Sequence, residues 1–361
     1  MFRFLAVLLV TAFVTTSLAQ PQVSSSPTAA APVLWSAAPV VVHVNGGTLS
    51  LADNYYNPTT RRLLVAGTDY TQSWVVSVDF RAANYTATSI PPAITNGDVI
   101  AVGISKDGQY VYGWMDSPTS NPNFVGEGFF APVGNPGNRT LVGFLSSGVN
   151  ESMVRDMSAN GVVVGDGAGG LQGFLWTSGT GIVPVPNPGT GGSSARAISA
   201  NAVIGYGMFS VAGPGTEQAG AWVWGNPYPL PCTALSISGG CSPNGLIAAG
   251  VDSFNACAWI HGAQFPINEV GTTPLNGEGR DAVDSGFCVG IGSFGGNPYG
   301  FIWHPNWQTA MTIRAYVLSR TGVDIGFDVT EANGISQWGK FLFISGADAN
   351  GGVAIQVLAR P

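Results

Sequence analysis

The chain repeats itself, and that constrains its fold more than any other feature. The segment MSANGVVVG at 157–165 is echoed by ISANAVIG at 198–205 and by ISKDGQYVYG at 104–113. Fainter echoes are SPNG at 242–245 ending in Gly250, VDSG at 283–286 ending in Gly290, and ISQWG at 335–339 ending in Gly346. A worn first copy, NPTTRRLLVAG, occupies 57–67. A second element follows most copies: GFLW at 173–176, AWVW at 221–224, CAW at 257–259 and GFIW at 300–303. SWVV at 73–76, GFFA at 128–131 and VAIQV at 353–357 stand in the matching places. Seven copies result, about 40 to 55 residues apart, and such a period means stacked supersecondary units.

Each motif has a physical reading. Asn-Gly and Asp-Gly supply the positive φ of a tight hairpin, so IS-x-NG is a strand meeting a turn. The β-branched VVVG is a buried second strand, and GFLW is a third with alternating large residues. A Pro-containing segment such as VPVP at 183–186 fits an outer edge strand, where Pro is tolerated. Four antiparallel strands per repeat describe a propeller blade. The expected fold is therefore all-β, a propeller of seven blades, with glycines crowding toward the axis and Phe and Trp packing between blades. A solenoid of stacked hairpins is the runner-up, and the lack of clear caps favours ring closure. The last copy has no room for a fourth strand. Residues 33–35 (VLW) and 40–44 (VVVHV) precede the first copy, and they are expected to supply the outer strand of the last blade. That would pair both sheet edges.

The pattern x-IS-x-NG-xx-VVG followed by GFLW resembles the extracellular HAF-repeat family, over roughly residues 52–361. The end of the chain, VTEANGIS at 329–336 and on to Gly346, is similar to the last repeat of such proteins. The His-Ala-Phe triplet is replaced by Gln172-Gly173-Phe174 and Tyr299-Gly300-Phe301. The resemblance implies a secreted or surface propeller-like domain, and it supplies no catalytic residues.

The ends and the charge point to a compartment. Arg3, the apolar run 4–14 and the small residues TTSLA at 15–19 read as a signal peptide cleaved after Ala19. Residues 20–32 read as a flexible leader, and 33–361 as one propeller domain. No second long apolar run follows, so no membrane span is expected in the mature chain. Of 361 residues, 51 are Gly and 45% are hydrophobic, yet only 9% are charged, so the surface is made polar by uncharged groups. The net charge of −7 with scattered basic residues excludes a nucleic-acid stripe. Sequons at Asn84, Asn138 and Asn150 are candidate glycosylation sites in a secreted chain.

Four cysteines in such a chain suggest bridges. Cys257 sits where other repeats have Phe174, Trp222 and Phe301, and Cys288 lies on the next VVVG strand, which suggests Cys257–Cys288 across two blades. Cys232–Cys241 would be the local bridge. The cysteine spacings fit no zinc pattern, and no metal or cofactor is expected. His43, His261 and His304 lie in no nucleophile elbow. Asp156 and Asp281 are the best glycosidase-type carboxylates, in matching Arg-Asp pairs, but charges repeated at equivalent places read as structural. The Asp107-Gly108 turn matches neither a calcium loop nor the sialidase Asp-box.

Gly165, Gly167 and Gly170 spell G-x-G-x-x-G after an apolar run, the mark of a dinucleotide loop. That loop needs a helix next, and the sequence continues into GFLW instead. Gly165 has sister residues at Gly67, Gly113, Gly205, Gly250, Gly290 and Gly346, so it belongs to the repeat. Trp176, Trp224, Trp259 and Trp303 recur at one place and read as core. Trp338, Trp307, Tyr55 and Tyr56 do not, and aromatics outside the repeat suit stacking on sugars. The expected role is a secreted, non-enzymatic binding or structural module for a glycan or protein. A secreted glycoside hydrolase or lyase using rim carboxylates is the alternative.

Overall fold

The repeated serine builds each turn. Ser158 Oγ donates to Asn160 Oδ1 at 2.6 Å and accepts the Val162 amide at 2.9 Å. The same pair of bonds joins Ser105 to Asp107 and Tyr110, Ser199 to Asn201 and Ile204, and Ser242 to Asn244 and Ile247. All four serines are buried. Burying a hydroxyl is tolerated there because both its donor and its acceptor are used.

A computed structural model describes residues 40–42, 50–57, 59–60, 62–79, 84–120, 123, 126–145, 149–167, 172–189, 191–210, 217–223, 225–232, 236–294, 296–322, 324–326, 329–336, 341–347 and 353–357. Among the described residues these turns join seven four-stranded antiparallel sheets, the blades of a β-propeller. Blades 1 to 7 begin with the strands Ser50–Asn57, Val99–Ile104, Ser152–Met157, Ser193–Ile198, Ser236–Cys241, Gly277–Ala282 and Val329–Ile335. Each of these first strands touches its neighbours, and Val329–Ile335 touches Ser50–Asn57, so they form a closed inner ring. Closure is by the N-terminal strand: Val40–Val42 pairs antiparallel with Val353–Val357, Val40 opposite Ile355 and Val42 opposite Val353. The core is divided accordingly. Buried side chains cluster between successive blades, as with Val154, Val163 and Phe174 of blade 3 against Tyr112 and Phe130 of blade 2.

The inner strands share a β-bulge. The register shifts between Ala101 and Gly103, Val154 and Asp156, Ala195 and Ala197, Ser238 and Gly240, and Gly279 and Asp281. A bulge bends the strand and re-aims one residue. Opposite the residue before each bulge sits a glycine: Gly113, Gly165, Gly207, Gly250 and Gly290 in turn. A Cβ on Gly113, Gly165, Gly207 or Gly290 would collide with the carbonyl oxygen of Ile100, Met153, Ser194 or Glu278. The bulge therefore dictates the glycine.

This corrects the sequence alignment in blade 4. The counterpart of Gly165 is Gly207, not Gly205, and Trp222 rather than Trp224 matches Trp176, Trp259 and Trp303. Gly205 and Trp222 do face one another, but two residues nearer the turn. The dinucleotide reading fails as expected. Gly165 and Gly167 lie within the strand Val163–Gly167, and the chain resumes as the strand Gln172–Thr177.

Two insertions were not expected. The strands Asn268–Val270 and Thr273–Pro274 form a hairpin between blades 5 and 6. The helix Ile313–Thr321 lies between blades 6 and 7. Thr312 Oγ1 accepts the Ala315 amide, and Gly322 at φ 72° donates its N–H to the Leu318 carbonyl, so both helix ends are capped. Among the described residues no helix is long and apolar enough to cross a membrane. Residues 1–39, His43, Val44, Gly170, Trp224 and Trp338 lie outside the described residues.

Candidate functional site

The two carboxylates that could have done chemistry are occupied by the fold. Asp156 Oδ1 accepts its neighbour's amide, Met157 N, at 2.7 Å and the Tyr112 hydroxyl at 3.0 Å. Its Oδ2 accepts the Ile198 amide of blade 4 at 2.8 Å and faces Lys106 Nζ at 3.4 Å. Asp281 repeats the geometry, accepting Ala282 N at 2.8 Å and Ile335 N of blade 7 at 2.9 Å. Each buried carboxylate thus ties its blade to the next. A general acid or base needs a lone pair or proton aimed at substrate, and here the oxygens are turned onto backbone amides.

The bulge residues of blades 3, 4 and 6 are arginines. Arg155 Nε donates to Asp166 Oδ2 at 2.8 Å, and its guanidinium lies over Trp114 at 5.8 Å. Arg196 Nε donates to Ser194 Oγ at 2.7 Å and stands 3.7 Å from the same Asp166 oxygen. Arg280 reaches across to Glu331 and Asn333 of blade 7. Burial, then the charge of Arg196, holds the Arg155 guanidinium below its ordinary pKa.

A second candidate lies beside the helix. Trp307 and Tyr316 are half-buried, with ring centroids 5.8 Å apart at 44°. Phe287 packs against both, edge-on to Trp307 at 5.6 Å and tilted at 60° to Tyr316 at 6.3 Å. The His304 ring lies 4.9 Å from Phe287, tilted at 55°, and its Nε2 is 3.1 Å from the Ser285 carbonyl. Arg320 lies over Tyr316 at 5.4 Å. Trp307, Gln308, Met311, Tyr316, Ser319 and Arg320 bound an open groove. Aromatic faces with exposed amide, hydroxyl and guanidinium groups around them can stack an apolar ring face and bond its polar edge. Of the groove-lining residues the sequence singled out only Trp307. The cap pair Thr312 and Gly322 was the signal for the helix that brings Tyr316 to it.

The other expected binding aromatics fare differently. Tyr55 covers the Asp107-Gly108 turn so closely that a Cβ on Gly108 would overlap its ring. Burial, then Asp107, pushes its phenol pKa up. Tyr56 is half-buried on the inner strand of blade 1. Two aromatics not singled out, Tyr70 and Phe254, are 65% and 75% exposed in second-to-third-strand loops. Both hold positive φ, 72° and 69°, which is strained for large side chains.

The expected disulfides are absent: Cys232, Cys241, Cys257 and Cys288 are all thiols. Cys257 packs with Cys241 and Trp259 between blades 4 and 5, whereas Cys288 packs between blades 5 and 6. The sheet of blade 5 separates the proposed partners. Burial pushes the Cys257 and Cys288 thiol pKa values up. Among the described residues no cluster of metal-ligating side chains occurs. The sequon residues Asn84, Asn138 and Asn150 are exposed, and Asn150 Nδ2 donates to the Thr119 carbonyl at 3.1 Å.

No protein-family model matches the chain, and no curated protein matches it. Solved structures match the fold. A catalytically inactive virginiamycin B lyase from Staphylococcus aureus aligns over 88% of this chain and 98% of its own, at 11% identity and TM-score 0.55. The Cps50 (Swd1) propeller domain of Myceliophteria thermophila aligns over 88% and 99%, at 9% identity and TM-score 0.53. A shorter match, TolB from Acinetobacter baumannii, covers 58% of this chain and 51% of that one, at 11% identity and TM-score 0.40. At these identities the likeness to the lyase and to the Cps50 domain is one of fold, a β-propeller.

Proposed function

We propose that this chain is a secreted, non-enzymatic propeller of the HAF-repeat kind that binds a carbohydrate in the Trp307–Tyr316 groove. The pair of half-exposed rings, 5.8 Å apart and flanked by Gln308, Ser319 and Arg320, carries the reading. Sugar rings present apolar C–H faces and hydroxyl edges, which such a groove complements. The weakly charged chain and the apolar run 4–14 followed by small residues support export. The engagement of Asp156 and Asp281 by backbone amides speaks against a hydrolase built on them.

The test is a glycan array probed with the wild type, Trp307→Ala and Tyr316→Ala, each checked for native circular dichroism. Wild-type binding that falls at least about tenfold in both variants supports the groove. Binding unchanged in the folded variants, or turnover of a bound glycan, overturns the proposal.

A further inference from the structure

We propose that Arg155 and Arg196, at the bulges of adjacent inner strands, form an oxyanion site that takes a ligand carrying a carboxylate or phosphate group. Both residues occupy the bulge of adjacent inner strands and share one carboxylate, Asp166. Each spends its Nε nitrogen on a protein partner. Among the described residues, their terminal guanidinium nitrogens make no hydrogen bond, so two forks of donors are left. The side chains are 23% and 31% exposed, open enough for a ligand to reach and covered enough for a charge-assisted bond to be strong.

The local charge points the same way. Two guanidiniums against one carboxylate leave an excess positive charge, and holding like charges together away from bulk water is costly unless an anion joins them. Trp114 backs Arg155 and Ser194 holds Arg196, so both groups are oriented before a ligand arrives. A planar carboxylate or a tetrahedral phosphate matches such forks with paired bonds. Arg280 is the internal contrast. It occupies the same bulge position in blade 6 but is taken up by Glu331 and Asn333.

The experiment is isothermal titration in low-salt buffer with two probes, inorganic phosphate and D-glucuronate. The wild type should bind at least one of them saturably, and the preferred probe identifies the anion class. Arg155→Gln and Arg196→Gln should each weaken binding by about tenfold or more, while Arg280→Gln leaves it unchanged. Asp166→Asn, which removes the competing carboxylate, should tighten it. Should Arg155→Gln lose its native circular dichroism, Arg196→Gln alone carries the comparison. No saturable binding of either probe by folded wild type below about 10 mM overturns the site. So does an equal loss in Arg280→Gln, or unchanged affinity in folded Arg196→Gln.

Discussion

The Asp281 carboxylate of blade 6 accepts the backbone N–H of Ile335 in blade 7 at 2.9 Å, as Asp156 of blade 3 accepts Ile198 of blade 4 at 2.8 Å. Removing either acceptor leaves two buried amides without a partner. Asp281→Ala and Asp156→Ala should each lower stability by about 2–4 kcal/mol in urea titration. The Asn variants, which keep one acceptor oxygen, should cost less. Losses within about 0.5 kcal/mol for both Ala variants would show that these carboxylates do not join the blades.

The closing strand makes a second prediction. Deleting residues 33–44 removes Val40–Val42 and bares the edge formed by Val353–Val357. The thermal midpoint should fall by about 5 °C or more. An unchanged midpoint would mean that the ring is held without this pairing.

Blade 4 distinguishes two neighbouring glycines. A Cβ on Gly207 meets the Ser194 carbonyl, whereas on Gly205 the nearest atom is the Ala197 carbonyl oxygen at 3.6 Å. Gly207→Ala should cost more than about 2 kcal/mol, and Gly205→Ala should lie within about 0.5 kcal/mol of wild type. A reversed order would return the repeat glycine to position 205.

The thiols can be counted. At pH 8 the native protein should show one reactive thiol, the half-buried Cys232, because Cys241 is buried and burial keeps Cys257 and Cys288 protonated. All four should react with Ellman's reagent after unfolding without reductant. Two or none would mean that disulfide bridges form.

The helix carries a pH-sensitive tie. Arg314 hydrogen-bonds both oxygens of Asp324, at 2.7 and 2.8 Å. That pair, then the Gly326 amide, holds the carboxyl down at about 2. A depressed carboxylate pKa favours the folded form above the ordinary value of about 3.9, and that contribution is lost as pH falls through about 2. Carbon-detected titration of Asp324 should therefore show a midpoint near the folded value, and Arg314→Gln should return it to the ordinary range. An ordinary midpoint in the wild type would show the pair to be open in solution.

The repeat, the hairpin turns and the N-terminal closure were legible because each rests on local chemistry: Asn-Gly and Asp-Gly turns, β-branched runs, and a last copy lacking its fourth strand. The bulges were not, because a shift in pairing between Val154 and Asp156 leaves no mark in composition. Without them the glycine could not be tied to its carbonyl partner, and the alignment slipped by two residues in blade 4. The spacing from Ser105 to Gly113 and from Ser242 to Gly250 already matched Ser199 to Gly207, while blade 3 has a turn one residue shorter. The disulfide pairing failed because repeat positions fix a place along a strand but not which face of the sheet a side chain takes. Tyr316 joined Trp307 only through an insertion outside the repeat.

The pairing of Val40 with Ile355 also bears on how the molecule is made. Blade 7 draws one strand from the earliest part of the propeller to leave the ribosome and three from the latest. Throughout synthesis the nascent chain therefore holds a valine-rich strand in waiting, and the hydrogen bonds it needs do not yet exist. Its contacts span nearly the whole sequence, the slowest kind to form. A pause or truncation before Val353 would strand that segment as an open edge, ready to pair with another unfinished copy.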